Sequence, residues 1–182
     1  MNRRAVTSLL MLVAMAASAL PATAQEGTSG QSPAEMRIAR EVRHEIVMLP
    51  YLNVFDYIAF EVHGYNVKLT GAVTRPTLKS DAERVVKHVE GVEKVDNQID
   101  VLPPSTMDDG LRLRLFRAIY RYPALEKYAL GVLKPIRIIV KSGRVTLEGV
   151  VDNETDKNLV NLRANSVPGI FSVTNNLKVV KP

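Results

Sequence analysis

Apolar residues follow two alternating rhythms along this chain, and the same succession of rhythms is written twice. Ile38, Ala39, Val42, Ile46 and Leu49 fall at three- and four-residue steps, the spacing that lines one face of a helix; the run opens after Pro33 and stops at Pro50. Ile58, Phe60 and Val62, then Val67, Leu69, Gly71 and Val73, alternate with polar positions on either side of Gly64, which predicts a β-hairpin. Ala82, Val85, Val86 and Val89 return to the helical step, and Val95, Ile99 and Val101 to alternation.

The second passage repeats this order. Leu111, Leu115, Ala118, Ile119 and Tyr122 predict a helix with Asp108 or Asp109 as N-cap and Pro123 at its end. Ile136, Ile138 and Val140, then Val145, Leu147, Gly149 and Val151, predict a hairpin turning at Ser142–Gly143. A helix carrying Val160, Ala164 and Val167 follows, its stripe broken by Arg163, and a strand carrying Val173, Leu177 and Val179 closes the passage. One spacing lays VKLTGAV on VTLEGVV and GVEKVDNQIDV on GIFSVTNNLKV. The expectation is an α+β protein of two tandem modules, residues 34–104 and 105–182. Each runs helix-strand-strand-helix-strand, with two helices on one face of a three-stranded mixed sheet. Modules this small bury limited cores, so packing of one on the other would add stability.

Four glycines and two asparagines recur at matching places. Gly91 and Gly169 stand at the ends of helices, where a left-handed residue is often needed. Gly71 and Gly149 lie mid-strand, where the absence of a side chain lets a helix approach the sheet closely. Asn97 and Asn175 interrupt the apolar face of the last strand; the reading preferred for each is an amide tying down backbone, with ligand contact as the alternative.

Residues 1–24 belong to neither module. Arg3 and Arg4 precede the apolar run Leu9 to Leu20, and Ala22-Thr23-Ala24 supplies a small-x-small cleavage pattern, so a signal peptide cut after Ala24 is expected. A run of about 12 apolar residues is too short for a bilayer core of roughly 30 Å, so no transmembrane helix is expected in the mature chain. Residues 25–33, rich in Gly, Ser and Pro, read as a flexible leader. The absence of cysteine excludes disulfides, thiolate chemistry and a cysteine-linked lipid anchor.

The shared pattern Pro-x-Leu (Pro50-Tyr51-Leu52, Pro123-Ala124-Leu125), V-x-L-x-G-x-V, helix, G-[VI]-x-x-V-x-N-x-[IL]-x-V resembles the BON domain. Two copies behind a signal peptide are similar to the osmotically inducible periplasmic protein family of bacteria. The resemblance implies a non-enzymatic periplasmic protein associated with phospholipid binding, envelope integrity, stress tolerance and, in some members, chaperoning. It implies no catalytic residue and no cofactor. The second copy departs from the first by an insertion, LEKYALGVLKP, before its first strand.

No catalytic chemistry emerges from the residues themselves. His44, His63 and His88 lack metal-ligand spacing, so no metal site is expected; neither a P-loop, a G-x-G-x-x-G turn nor a G-x-S-x-G elbow occurs. Charge is more informative. The first module is net acidic, with nine Lys+Arg against twelve Asp+Glu from residue 25 to 104, and the second is net basic, with thirteen against seven. In an exported chain such a surface meets phospholipid headgroups or envelope proteins rather than nucleic acid.

The basic module opens with LRLRLFRAIYRY. At roughly 100° per residue, Arg114, Arg117 and Arg121 gather opposite the core stripe, and Leu113, Phe116 and Tyr120 form a flank beside them. Two readings stand open for that flank. It inserts into an anionic bilayer while the arginines, with Lys127 and Lys134 of the insertion, hold headgroups; or it packs against the first module. A chaperone-like surface for exported clients, using that flank with Ile139 and Val150 on the outer sheet face, is the alternative function.

Overall fold

A computed structural model describes residues 32–131 and 134–180 of the chain. The predicted signal peptide, most of the leader, and Val132 and Leu133 of the insertion lie outside the described residues.

The first helix, α1 (Pro33–Val47), begins with a capping box: the Ser32 hydroxyl accepts the Glu35 N–H at 3.2 Å, and Glu35 accepts the Ser32 N–H at 2.7 Å. Proline in the first turn costs nothing there, because its missing N–H would have no helical partner. Ile38, Val42 and Ile46 recur every four residues and are buried. They cover the inner face of a sheet whose central strand β2 (Asn66–Val73) pairs antiparallel with β1 (Tyr57–His63) and parallel with β3 (Lys94–Asn97) and β4 (Asp100–Val101). Helix α2 (Pro76–Lys87) crosses between β2 and β3 and adds Leu78, Ala82 and Val86 to the core.

The second module repeats this order. Helix α3 (Thr106–Tyr120) is followed by a 3₁₀ helix (Pro123–Ala129) in the insertion, then β5 (Ile136–Lys141), β6 (Arg144–Val151), α4 (Glu154–Asn165), β7 (Ser172–Asn175) and β8 (Lys178–Val179). Here β6 is central, antiparallel to β5 and parallel to β7 and β8. The expected α+β architecture is present twice, with the closing strand of each module split in two. The asparagines sit at the splits. Asn97 donates to the Lys79 carbonyl on α2 at 2.9 Å and accepts the Ile99 N–H at 3.2 Å; Asn175 does the same with Lys157 and Leu177, both at 3.1 Å. Each amide holds the interrupted strand to its helix, as the backbone-tying reading requires.

Two details differ from expectation, and a third concerns the insertion. The N-cap of α3 is Ser105, whose hydroxyl accepts the Asp108 N–H, so Asp108 stands inside the first turn. Gly71 and Gly149 are required by the neighbouring strand rather than by a helix. Their φ angles are +119° and +116°, and a Cβ would stand 2.1 Å from the Tyr57 carbonyl oxygen or 1.9 Å from that of Pro135. Tyr128 of the insertion is buried, and its hydroxyl donates to Asp156 at 2.6 Å while accepting the Asp152 N–H at 2.8 Å. The insertion is thus pinned to its own module at that residue. Gly91 and Gly169, both at φ +89°, take the left-handed conformation in the turns that follow α2 and α4.

The modules pack on one another through the loop between α1 and β1. Val54 and Phe55 of the first module lie against the core of the second, the Val54 carbonyl accepts the Ile138 N–H at 2.9 Å, and Arg137 donates to the Asn53 carbonyl at 2.8 Å. Lys141 pairs with Asp100 across the same boundary. Of the two residues expected on the outer sheet face, Ile139 is only 8% exposed and Val150 is exposed, so that face offers less apolar surface than the sequence suggested.

Candidate functional site

Helix α3 decides which of the predicted contact residues are free. One side packs on β5 and on α4 through Leu111, Leu115 and Ile119. The flank beyond that stripe is covered as well. Phe116 is half-buried and meets Phe55 edge-on, with ring centroids 6.4 Å apart; Tyr120 lies 5.0 Å from Phe116 and is 2% exposed. The Tyr120 hydroxyl donates to the Ile136 carbonyl and accepts the Ile136 N–H, and burial pushes its phenol well above the ordinary value. The expectation that Tyr120 inserts into a bilayer is therefore corrected: it ties α3 to β5. Phe116 serves the contact between modules.

The lysines are engaged too. Lys127 pairs with Asp152 at 2.6 Å and Asp156 at 2.7 Å and lies over the Tyr128 ring, and these carboxylates hold its ammonium well above its usual range. Lys134 donates to the Ala129 and Gly131 carbonyls, closing the end of the insertion. Their charges serve the fold first.

What remains is a narrower outward face. Leu113 is 50% exposed, and Arg114, Arg117 and Arg121 are exposed. None of the three arginines makes an ion pair among the described residues. Met107, exposed in the first turn, continues this face toward the start of the helix. No acidic residue occurs from 110 to 125. Matching positions in the first module mix signs: Arg40, Glu41, His44 and Met48 stand where Leu113, Arg114, Arg117 and Arg121 stand in the second.

Three features escaped the pattern of the sequence. Arg112 is 4% exposed; it donates to Asp109 and to the Val140 carbonyl at 2.7 Å, although its place in the helix offered no apolar signal. Arg163, which breaks the α4 stripe, stacks 4.8 Å from the Tyr122 ring and donates to the Ala118 carbonyl, so it joins α4 to α3. Asp56 is fully buried, accepting from the Asn53 N–H and from both the N–H and the hydroxyl of Thr74. Among the described residues no group of three His, Asp or Glu side chains is placed to hold a metal ion, and no helix is long and apolar enough to cross a membrane.

The BON domain model matches residues 35–103 and 124–181, well over half of the chain, and the protein belongs to the BON domain family. That family is one of generally non-catalytic binding modules associated with the periplasm and with membranes. The second match begins after α3, so the arginine helix lies outside the matched residues. No curated protein matches. Two solved structures of CdsD, a structural protein of the type III secretion system of Chlamydia trachomatis, are 12% and 13% identical. They cover 79% and 78% of this chain and 92% and 96% of their own, each at a TM-score of 0.28.

Proposed function

We propose that this is an exported, periplasmic BON protein without enzymatic activity whose second module docks on anionic phospholipid surfaces, in support of envelope integrity under stress. The outward face of α3 makes the contact: Arg114, Arg117 and Arg121 meet headgroups while Leu113 and Met107 enter the interface. The observation that carries this reading is the coincidence of three exposed arginines, without ion pairs among the described residues, with exposed Leu113 on the acid-free stretch 110–125 and exposed Met107 just before it. A cation near an anionic bilayer surface contributes roughly 1 kcal/mol, so three together support reversible attachment once apolar insertion is added.

The test is co-sedimentation of residues 25–182 with vesicles containing or lacking anionic lipid. Binding should require the anionic lipid, weaken as salt screens the arginines, and fall on the order of 100-fold when all three arginines become glutamate. Undiminished binding by that variant would overturn the assignment. Client holding by a chaperone-like surface is the second reading; the burial of Ile139 and Tyr120 leaves it less apolar area than the sequence suggested.

A further inference from the structure

The most exposed aromatic side chain among the described residues is not on α3. Phe171, in the turn that leads from α4 into β7, is 76% exposed, with the Arg144 guanidinium 4.9 Å from its ring centroid. Its backbone is fixed: the Phe171 N–H donates to the Gly143 carbonyl at 2.8 Å, which joins this turn to the β5–β6 hairpin. The same end of the module holds the start of α3, because Asp108 accepts the N–H groups of Ser142 and Gly143. Arg114 reaches it as well. Its guanidinium lies 3.7 Å from where a Cβ on Gly169 would stand, two residues before Phe171.

The scaffold does not require these side chains. In the first module Glu93 occupies the place of Phe171, and its N–H makes the same backbone bond, to the Tyr65 carbonyl at 2.8 Å. Asn66 stands in place of Arg144, Glu41 in place of Arg114 and Ala34 in place of Met107. One fold with the same bond carries acids and neutral residues in one copy, and cations and large apolar groups in the other. Charge points to the occupant. The only acids at this end of the second module are at the start of α3, where Asp108 is buried on the hairpin N–H groups and Asp109 pairs with Arg112; the stretches that run through it from there, residues 110–125, 136–147 and 157–180, contain no Asp or Glu.

We infer that Phe171 and Arg144 form a second anchor for the anionic bilayer, joined to the α3 face through Arg114, so that the module docks with this end lowered into the headgroups. The inference rests on the lipid reading above and adds an orientation to it. A phenyl ring that enters the interface while an arginine on its face stays at headgroup level matches how such pairs divide between apolar and charged depth.

The chain contains no tryptophan, so Phe171→Trp introduces a single fluorescent reporter at the anchor. On addition of vesicles containing anionic phosphatidylglycerol, its emission should shift to the blue and be quenched by brominated acyl chains. Phe171→Ser should lower vesicle partitioning roughly tenfold and Arg144→Glu about fivefold or more, with circular dichroism unchanged because both side chains are exposed. If the unsubstituted protein pellets with vesicles while the reporter stays unshifted and Phe171→Ser binds as well as the parent, the anchor is overturned and the α3 reading stands. If the unsubstituted protein does not bind vesicles, both fall together. A blue shift produced by an unfolded polypeptide and not by vesicles would overturn the anchor in favour of client binding.

Discussion

The ring of Phe55 in the first module meets the ring of Phe116 on α3 edge-on, at 6.4 Å between centroids and 72° between planes. This contact turns the apolar flank of α3 inward: Phe116 in turn packs on Tyr120, so aromatic residues of a membrane-like pattern join two modules instead. Phe55→Ala should lower stability by about 2 to 3 kcal/mol, less than a fully buried phenylalanine because the ring is only partly covered. Chemical denaturation checks this. An unchanged midpoint would mean that the modules hold together without the pair.

The mid-strand glycines give a sharper expectation. A side chain at Gly71 or Gly149 meets a backbone carbonyl of the neighbouring strand at about half a normal contact distance, and the positive φ adds strain. Gly71→Ala or Gly149→Ala should each cost more than about 3 kcal/mol, read as a large fall in thermal midpoint. A cost under about 1 kcal/mol would show that the strand pair moves apart freely.

Much of this fold was legible in the sequence because duplication wrote it twice. Each helix, each hairpin and the asparagine ties appear at matching places, so two weak periodic signals became one strong one. Side-chain placement on α3 was less legible. Tyr120 and Leu113 are neighbours on the helical wheel, yet one is buried and the other half-exposed, because Tyr120 bonds the Ile136 backbone and packs on Phe116, which in turn meets Phe55 of the first module, far away in sequence. Arg112 and Arg163 broke the apolar pattern for a related reason: each finds a carbonyl acceptor, Val140 or Ala118, that only the folded chain supplies. The arginines of the outward face were readable because nothing in the fold needs them.

Asp108 is a conserved role within the duplication rather than a surface charge. Its two carboxylate oxygens accept from Ser142 and Gly143 at 2.8 and 2.9 Å, as Glu35 accepts from Gly64 at 2.7 Å in the first module. Asp108 is buried and Glu35 exposed, so Asp108→Ala should destabilise by about 2 to 4 kcal/mol, leaving two hairpin N–H groups without a charged partner. Glu35→Ala should cost measurably less. Equal costs in urea denaturation would show that burial does not set the value of this bond.

Stability should also fall at both pH extremes for reasons that name residues. Burial alone would raise the Asp156 carboxyl, but bonds from Lys127 and Tyr128 outweigh it and the net shift is downward from 3.8. Glu83, held by Lys87 and Asn97, and Glu35, held by the Gly64 N–H, are lowered from 4.5. A carboxylate whose native value is depressed stabilises the fold above its unfolded value, and that contribution is lost as pH falls through the native one. At the other end, Lys127 and the buried phenols of Tyr120 and Tyr128 are raised, so their contribution is complete below about 10 and lost as pH climbs beyond it. Thermal midpoints recorded from pH 2 to 11 should therefore form a plateau with two falling limbs. Asp156→Asn should flatten the acid limb below about 4, and Lys127→Met should flatten the alkaline one. Limbs of unchanged slope in both variants would mean that the ties between the insertion and α4 do not control this pH dependence.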